Sequence, residues 1–464
     1  MAESEAARLS DALNNAPLDL FHLRAMITAG MGFFTDAYDL FIIGVAVVLI
    51  KQEFHPTTLE LSFITAGALL SAFIGATIFG WVSDKFGRKT IYGLEATIMA
   101  IAALATAFSP NIIWLIVWRF ILGIAIGGDY PVSAVLMSEY ANTKDRGKLV
   151  GLVFSMQAVG LVAGPVVALA LLGAGVPHDI AWRLMLGLGA LPAMAVIYLR
   201  RTMPESPRYL SRVKGKTATA AIQIQKYSQG RILATGSSEG RVRGVNMGRF
   251  LLTLIGTAGT WFVFDYAYYG NSISTPLILK AVAPGASLIT STAWTLLIFT
   301  VAAVPGYILA FNTMDRIGHK RLQLIGFICM GLAFLAIGVI PGITTVILPF
   351  LIVYGLSYFF AEFGPNTTTF VLAAELFPVN LRTTGHGISA GVAKIGAFIG
   401  VFLFPIIQAS LGLNGTLTIT FVFAVAGVLL TLILPEPARK SLEEVSYEDK
   451  FIRPETPMPQ PVAG

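Results

Sequence analysis

Apolar stretches long enough to cross a lipid bilayer recur along nearly the whole of this 464-residue chain. A spanning helix needs about 20 mainly apolar residues. That rule predicts twelve helices, near residues 24–50, 61–83, 90–108, 111–138, 148–174, 183–200, 249–272, 288–311, 322–341, 344–373, 383–409 and 414–434. Only 12% of the residues are charged, against about 25% in soluble domains. We therefore predict an all-α, multi-pass membrane protein embedded in a lipid bilayer.

A polar and basic segment, residues 201–247, divides the predicted helices six and six. We predict an amino-terminal six-helix bundle over 1–200, this central loop, a carboxy-terminal six-helix bundle over 248–436 and a tail over 437–464. The short loops on one side of the membrane carry most of the basic residues, which are Lys85, Arg88, Lys89, Lys144, Arg146, Lys148, Arg316, Lys320, Arg321 and Arg382. Because positively charged loops stay in the cytoplasm, we expect both termini on the cytoplasmic side of the cell membrane.

The composition argues against several other functions. With a single cysteine the chain has no intramolecular disulfide and no cysteine-based zinc site, and its five histidines show no metal-ligand spacing. Its net charge of +6 fits basic loops better than a nucleic-acid partner. No combination of nucleophile and base suggests an enzyme. We therefore expect no catalytic activity, no bound cofactor and no nucleic acid, and we expect a functional monomer.

The two halves of the chain repeat each other. GWVSDKFGRK at 80–89 matches DRIGHK at 315–320 at an offset of 231 residues, and the Pro-Glu pairs at 204–205 and 435–436 share that offset. The Glu139 and Arg146 pair matches Glu375 and Arg382 at an offset of 236. Two parallel six-helix repeats around a midplane cavity are the architecture of many transporters. The repeat therefore predicts a transporter fold.

Polar side chains inside the apolar stretches mark a candidate substrate site. Trp261, Asp265 and Tyr269 recur every fourth residue, so they share one stripe of the predicted seventh helix. An aromatic packing stripe would explain Trp261 or Tyr269 alone. A carboxyl group at this depth costs about 2.5–3.5 kcal/mol even on the lenient insertion scale. We therefore expect Asp265 to face a cavity.

Pseudo-symmetry adds polar groups from both halves. Tyr130 and Asn366 are related by the offset of 236, and Gln157 and Lys394 come within one residue of it. A bond between helices would explain Gln157 alone, whereas Lys394 lies mid-helix, too far from either end to snorkel easily. Tyrosine, glutamine, tryptophan, asparagine and lysine all donate hydrogen bonds to an anion. We predict that Asp265 carries a proton and pairs with Lys394 when the site is empty.

Three further carboxyl groups suggest a proton route through the amino-terminal half. Asp36 and Asp39 share a face of the predicted first helix, and Asp129 lies on the fourth. A structural cap or ion pair is the alternative for any one of them. Arg119 lies three turns before Tyr130 on one stripe, so we expect it to neutralise Asp36 or Asp129. A static buried ion pair is the alternative for Arg119.

Charged residues at the helix ends on the basic side are expected to form a gate. Their equivalent places in the two halves favour charge clusters between helices that control conformational change. Isolated surface salt bridges, each worth ~0–1 kcal/mol, are the alternative. The predicted gating residues are Asp84, Arg88, Glu139, Arg146, Asp315, Arg316, Glu375 and Arg382.

Several of these motifs resemble those of a known superfamily. GWVSDKFGRK, RFILGIAIGG and PESPR are similar to signatures of the major facilitator superfamily. GMGFFTDAYDLFIIG, GGDYPVSAVLMSEYA and FGPNTTTFVLAAELFP resemble its phosphate:proton symporter family, from which Val132 is a mild departure. The resemblance implies that superfamily's fold of twelve helices in two bundles. It also implies phosphate contacts at matched positions, namely Tyr130, Gln157, Trp261, Asp265, Tyr269 and Asn366, with Lys394 as their basic partner.

We therefore predict a symporter that imports inorganic phosphate by alternating access, with the proton as coupling ion. A proton-coupled carrier of organic or aromatic acids would keep the DAYD pair and PESPR, but it should need an arginine pocket and a wider apolar cavity. A sugar porter needs less charge than Asp265 and Lys394 supply. A non-transporting phosphate receptor could use the same site, although the short tails contain no recognisable signalling domain.

Overall fold

The computed structural model describes residues 7–453, so residues 1–6 and the end of the predicted tail, residues 454–464, lie outside the described part. Eleven helices of the described part are long and apolar enough to span a membrane. They are Leu20–Phe54, Thr58–Phe86, Arg88–Ala107, Ile112–Tyr140, Arg146–Gly173, His178–Thr202, Met247–Ile273, Leu288–Ile317, His319–Val339, Ile347–Glu375 and Arg382–Thr431. The predicted segments overlap these helices throughout.

The last of these helices, Arg382–Thr431, contains two crossings. At Gly412 the backbone leaves helical geometry, with φ 68° and ψ 179°, a conformation that glycine adopts without a steric penalty. Contacts with the seventh spanning helix run parallel before this break and antiparallel after it. They are Thr257–Ser389 and Gly270–Gly400 before it, and Asn271–Thr420 and Tyr266–Phe423 after it. The chain therefore turns back at Gly412, and the predicted twelve crossings are confirmed.

The two ends of the described part and the central loop meet at one end of the bundle. In the described part, Asn14 donates to Glu443 of the tail over 3.4 Å, and Arg241–Val242 of the central loop pairs antiparallel with Ile452–Arg453. We call this end the terminal face and the other end the opposite face. The short helices outside the spanning segments are Leu9–Asn14, Pro207–Arg212, Thr217–Tyr227, Thr275–Val282, Ile343–Thr345, Leu442–Ser446 and Glu448–Phe451.

The two halves touch near both faces, at positions where glycine permits close approach. A Cβ added to Gly80 would lie 2.6 Å from the carbonyl oxygen of Thr383 on the terminal side. A Cβ added to Gly44 would lie 3.0 Å from the carbonyl oxygen of Ile273 on the opposite side. The polar centre between these contacts is therefore closed at both ends.

Two spanning helices contain π-helical turns, Phe299–Ala303 in the eighth and Glu362–Asn366 in the tenth. Such turns are rare and occur frequently at functional sites. In the tenth helix the backbone departs from helical geometry at Gly364, with φ −112° and ψ −105°. The turn places Glu362 and Asn366, at its two ends, in the buried centre of the bundle.

Candidate functional site

The seven predicted substrate-binding side chains converge on one buried volume between the two halves. None is more than 2% exposed. Tyr130 and Gln157 come from the amino-terminal half, and the other five from the carboxy-terminal half, namely Trp261, Asp265, Tyr269, Asn366 and Lys394. The ring centroids of Tyr130 and Trp261 are 5.9 Å apart, which joins the halves directly. The structure brings these residues together, and their role in binding stays a prediction.

Lys394 is the cation of this centre. Its Nζ donates to Oδ2 of Asp265 over 3.0 Å and to the hydroxyl of Tyr269 over 3.1 Å. It also lies 4.6 Å from the ring centroid of Tyr130 in the other half. Within the described part, Oδ1 of Asp265 has no hydrogen-bond partner. The ammonium is therefore placed where it can exchange Asp265 for an incoming anion.

Asp36, predicted for the proton route, belongs to the same centre. The hydroxyl of Tyr130 donates to Oδ2 of Asp36 over 2.5 Å, and the amide of Gln157 donates to that oxygen over 3.2 Å. No described cation lies within 4.0 Å of this carboxyl group. An ionised Asp36 holds both donors, whereas a protonated one can release them to an anion. Asp36 therefore shares hydrogen-bond donors with the predicted substrate site, and its role in the proton route stays a prediction.

Three residues not singled out from the sequence extend this network through the carboxy-terminal half. Tyr307 donates to Oε1 of Gln157 over 3.1 Å and accepts from the amide of Asn366 over 2.8 Å. Asn366 also donates to Glu362, and Tyr268 donates to Oε1 of Glu362 over 2.6 Å. The two halves thus share one continuous hydrogen-bonded chain.

A sequence signal existed for one of these three residues. Glu362 is an intramembrane carboxyl group, so the rule that singled out Asp265 applies to it equally. Tyr268 and Tyr307 carry no charge, and no repeat relation distinguishes them from the other tyrosines of the chain. Their role in the network follows only from the packing of the helices.

Arg119 pairs with Asp39, and the predicted pairing with Asp36 or Asp129 is wrong. The guanidinium lies 3.4 Å from the carboxylate of Asp39, and its Nε donates to the carbonyl oxygen of Ile64 over 2.6 Å. Eleven residues of helix separate Arg119 from Tyr130, a rise of about 16 Å. Because Asp36 is bonded to Tyr130, Arg119 lies on the side of Asp36 on which Asp39 follows along the first helix.

Asp129 does not face the substrate centre. Its two oxygens accept from the guanidinium of Arg200 over 2.7 and 3.0 Å, and Ser133 donates to it over 2.6 Å. Glu95 lies 2.9 Å from the same guanidinium. One residue turns the side-chain direction by about 100° on a helix, so Asp129 and Tyr130 face different neighbours. The proton route predicted through Asp129 therefore lacks a direct contact with the substrate residues.

On the terminal face, a charge cluster joins the two halves. Arg88 lies 3.2 Å from both Asp84 and Glu139, and Arg382 of the other half lies 2.9 Å from Glu139. Asp84 also accepts from the backbone N–H of Thr384 over 2.6 Å. That N–H belongs to the first turn of the eleventh crossing, where the helix dipole favours a negative charge.

The equivalent cluster of the second repeat also joins the halves, with the roles of the two halves exchanged. Arg146 lies 3.0 Å from Glu375, and Asp315 accepts from the backbone N–H of Lys148 over 2.7 Å. His319 lies between the two acids, 3.3 Å from Asp315 and 3.5 Å from Glu375. Each half therefore places one carboxylate at the start of a helix in the other half.

Arg316 does not join this cluster, so its predicted place there is wrong. Its side chain is exposed, and no ion pair within residues 7–453 includes it. The offset of 231 aligns Arg88 with His319 and aligns Lys85 with Arg316. The imidazole of His319 therefore occupies the place that a guanidinium holds in the first cluster.

The tail is fastened to the first of these clusters. Glu448 lies 3.1 Å from Arg382 and 2.9 Å from Arg212 of the central loop, and Glu443 pairs with Arg208. Burial works to raise the pKa of Glu443, but the guanidinium groups of Arg208 and Arg212 outweigh it and lower the pKa to about 2. The tail thus adds buried ion pairs to the contact between the halves.

Two comparisons at the level of sequence agree with each other. Residues 25–448 match the family model described as sugar (and other) transporter. The chain is 36% identical over 506 residues to the probable inorganic phosphate transporter 1-6 of Arabidopsis thaliana, covering 97% of this chain and 98% of the relative. It is 35% identical over 527 residues to the inorganic phosphate transporter 1-6 of Oryza sativa subsp. japonica, covering 98% of each.

Solved structures share the fold at lower identity. The major facilitator superfamily proton:xylose symporter XylE bound to 6-bromo-6-deoxy-D-glucose matches with a TM-score of 0.77 at 20% identity, over 92% of this chain and 98% of that chain. A partially occluded inward open conformation of XylE from E. coli matches with a TM-score of 0.70 at 21% identity, over 90% and 99%. These matches confirm the predicted fold.

Proposed function

We propose that this chain, which belongs to the inorganic phosphate transporter family of the major facilitator superfamily, imports inorganic phosphate together with protons. One observation carries the proposal. A buried ammonium, Lys394, is bonded to a carboxylate that can take up a proton, Asp265, among hydroxyl and amide donors from both halves. A neutral sugar would not need such a pair, whereas an anion needs the ammonium and must avoid the carboxylate.

The donors around Lys394 suit the four oxygens of phosphate. Tyr130 and Gln157 donate a hydroxyl and an amide to Asp36, and the hydroxyl of Tyr269 accepts from Lys394. Bonds from charged donors to phosphate are about twice as strong as neutral ones, so Lys394 supplies the main attraction. The surrounding hydroxyls and amides then fix the orientation of the anion.

Proton coupling follows from the choice of partners open to Lys394. When Asp265 is ionised, the ammonium is bound to it, and the carboxylate repels an anion. A proton on Asp265 removes that negative charge, frees Lys394 for phosphate and leaves a carboxylic acid that can donate a hydrogen bond. Loss of the proton reverses each step and expels the anion. Phosphate and proton therefore bind together and leave together.

Alternating access requires the two clusters of the terminal face to open. In the structure both are formed and the centre is closed on both sides, which corresponds to an occluded state. We assign the terminal face to the cytoplasm because its short loops carry most of the basic residues. Rocking of the halves about the central site would then break the cytoplasmic pairs and release phosphate inward.

The test is uptake of radiolabelled phosphate into proteoliposomes that contain the purified full chain, with and without an inward proton gradient. We expect accumulation only with the gradient. Uptake that is indifferent to the gradient would rule out symport. Phosphate binding without uptake would favour a receptor, and stronger competition by xylose or benzoate than by unlabelled phosphate would reassign the substrate.

A further inference from the structure

Glu362 is a fully buried carboxyl group that the coupling scheme above does not use. Tyr268 of the seventh helix donates to its Oε1, and Asn366 donates to its Oε2. Tyr307 of the eighth helix accepts from the same Asn366 amide over 2.8 Å. The ninth helix approaches the same turn with Gly326, which lies against Gly364. Every described polar partner of Glu362 is therefore an uncharged hydroxyl or amide.

The absence of a cation distinguishes Glu362 from most buried acids of the described part. Asp39, Asp129, Glu139 and Glu375 each pair with an arginine. A buried carboxylate with no counter-charge costs far more free energy than the neutral acid. A proton on Glu362 therefore removes a charge that no described neighbouring cation balances.

Hydroxyl-bearing side chains also lie between Glu362 and the opposite face. Tyr268 and Tyr358 lie with ring centroids 5.9 Å apart. The small cavity beside them is mainly apolar and is lined by Asn271, Ser272, Met330, Phe334, Ser357 and Ala361. The hydroxyl of Tyr358 lies 3.1 Å from that of Thr275, a buried residue just past the end of the seventh helix. These side chains therefore place polar atoms beside Glu362 on the side of the opposite face.

A chain of hydrogen bonds leads from Glu362 to the proposed phosphate site. The amide of Asn366 bonds both Glu362 and Tyr307, and Tyr307 bonds Gln157. When Glu362 is ionised, its carboxylate holds Asn366 and adds a negative charge beside the anion site. A proton on Glu362 removes that charge and releases Asn366 to donate to phosphate.

We propose that Glu362 is a second proton-binding site of the transporter, coupled to phosphate through Asn366. The inference rests on the proposed function of proton-coupled phosphate import. In each cycle one proton binds a carboxylate oxygen of Glu362 from one side of the membrane, and the same O–H bond breaks to release it on the other. Asp265 carries one proton and Glu362 another, so at least two protons accompany each dihydrogen phosphate.

The test measures the ratio of dihydrogen phosphate across proteoliposomes at which net flux stops, at a fixed pH gradient of one unit and with the membrane potential clamped to zero. Each coupled proton multiplies that ratio by about ten. We expect Glu362→Gln to lower the ratio about tenfold relative to the parent. Glu362→Asp keeps a titratable carboxyl group and should keep the ratio of the parent, at a lower rate of uptake. Tyr268→Phe should also slow uptake and leave the ratio unchanged.

Phosphate exchange at equal concentrations, which needs no net proton movement, reports whether Glu362→Gln is folded. An unchanged ratio in an exchange-competent Glu362→Gln overturns the inference but not phosphate symport. If that variant does not fold, the parent protein supplies an independent criterion. A parent ratio of about ten at this gradient allows only one proton, and that result also overturns the inference. A parent without gradient-driven uptake overturns the proposed function itself.

Discussion

Asp36 of the amino-terminal half and Glu362 of the carboxy-terminal half are joined by one hydrogen-bonded chain through Gln157, Tyr307 and Asn366. Each end of the chain is a buried carboxyl group, and the residues between are donors that an anion between the halves could use instead. The charge of either carboxyl group therefore decides how many donors remain for substrate. Under the proposed function, this relationship couples proton binding to phosphate binding in both halves.

Asp265→Asn should abolish accumulation of phosphate driven by a proton gradient. Asparagine still donates a hydrogen bond but cannot carry a proton, and Lys394 loses the carboxylate to which it is bonded. The measurement is gradient-driven uptake in proteoliposomes, with phosphate exchange as the control for folding. A variant that accumulates phosphate like the parent would show that Asp265 does not couple the two fluxes.

Tyr130→Phe and Asn366→Ala should each weaken phosphate binding. Each removes a donor from one half, and a buried charged oxygen left without a donor costs roughly 1–3 kcal/mol. Tyr130→Phe also removes the 2.5 Å bond to Asp36. Equilibrium binding of labelled phosphate to the purified variants measures the loss. Parent affinity in both variants would place the phosphate site elsewhere.

Hydropathy was sufficient to predict the fold because each crossing must bury its backbone polar groups within a helix. Twelve apolar segments and an internal repeat therefore leave few other architectures. The same reasoning predicted where the polar centre lies, since Asp265 and Lys394 are costly in lipid and must face the interior. What hydropathy could not supply is which neighbour each buried charge faces.

The errors in the predicted site have simple geometric causes. Asp129 and Tyr130 are adjacent in sequence, but about 100° of rotation separates them on the helix, and Asp129 faces Arg200. Arg316 carries a charge close to the repeated motif, yet its repeat position corresponds to Lys85, whereas His319 corresponds to Arg88. Partners such as Arg200 come from distant segments, so no local pattern identifies them.

Glu443→Gln should lower the thermal stability of the purified protein by an amount that depends on pH. Since the pKa of Glu443 is lowered to about 2, its ionised form stabilises the folded state. That contribution is fully present above the unfolded-state pKa of about 4.3 and is lost as the pH falls toward 2. It amounts to at most about 3 kcal/mol.

The measurement for Glu443 is the difference in melting temperature between parent and variant at a series of pH values. We expect a large difference at pH 7 that shrinks between pH 4 and pH 2, because the parent then loses the charge that the variant never had. A difference that stays constant over this range would mean that the ionised carboxylate does not hold the tail.

Glu139→Gln should favour opening of the terminal face. Glu139 pairs with arginines from both halves. Breaking such a buried pair costs about 3–5 kcal/mol, and this cost destabilises only the closed form, in which the pair exists. Ser138 contacts Ala374 across the same boundary, so a Ser138→Cys reporter measures opening of this face. In a chain whose native Cys329 is replaced by serine, the reporter cysteine should react with a maleimide at least about tenfold faster when Glu139 is changed to glutamine. Arg316→Ala is the matched control, because it removes an exposed charge that has no ion pair in the described part. Equal reaction rates in the two variants would mean that the Glu139 cluster does not hold the face closed.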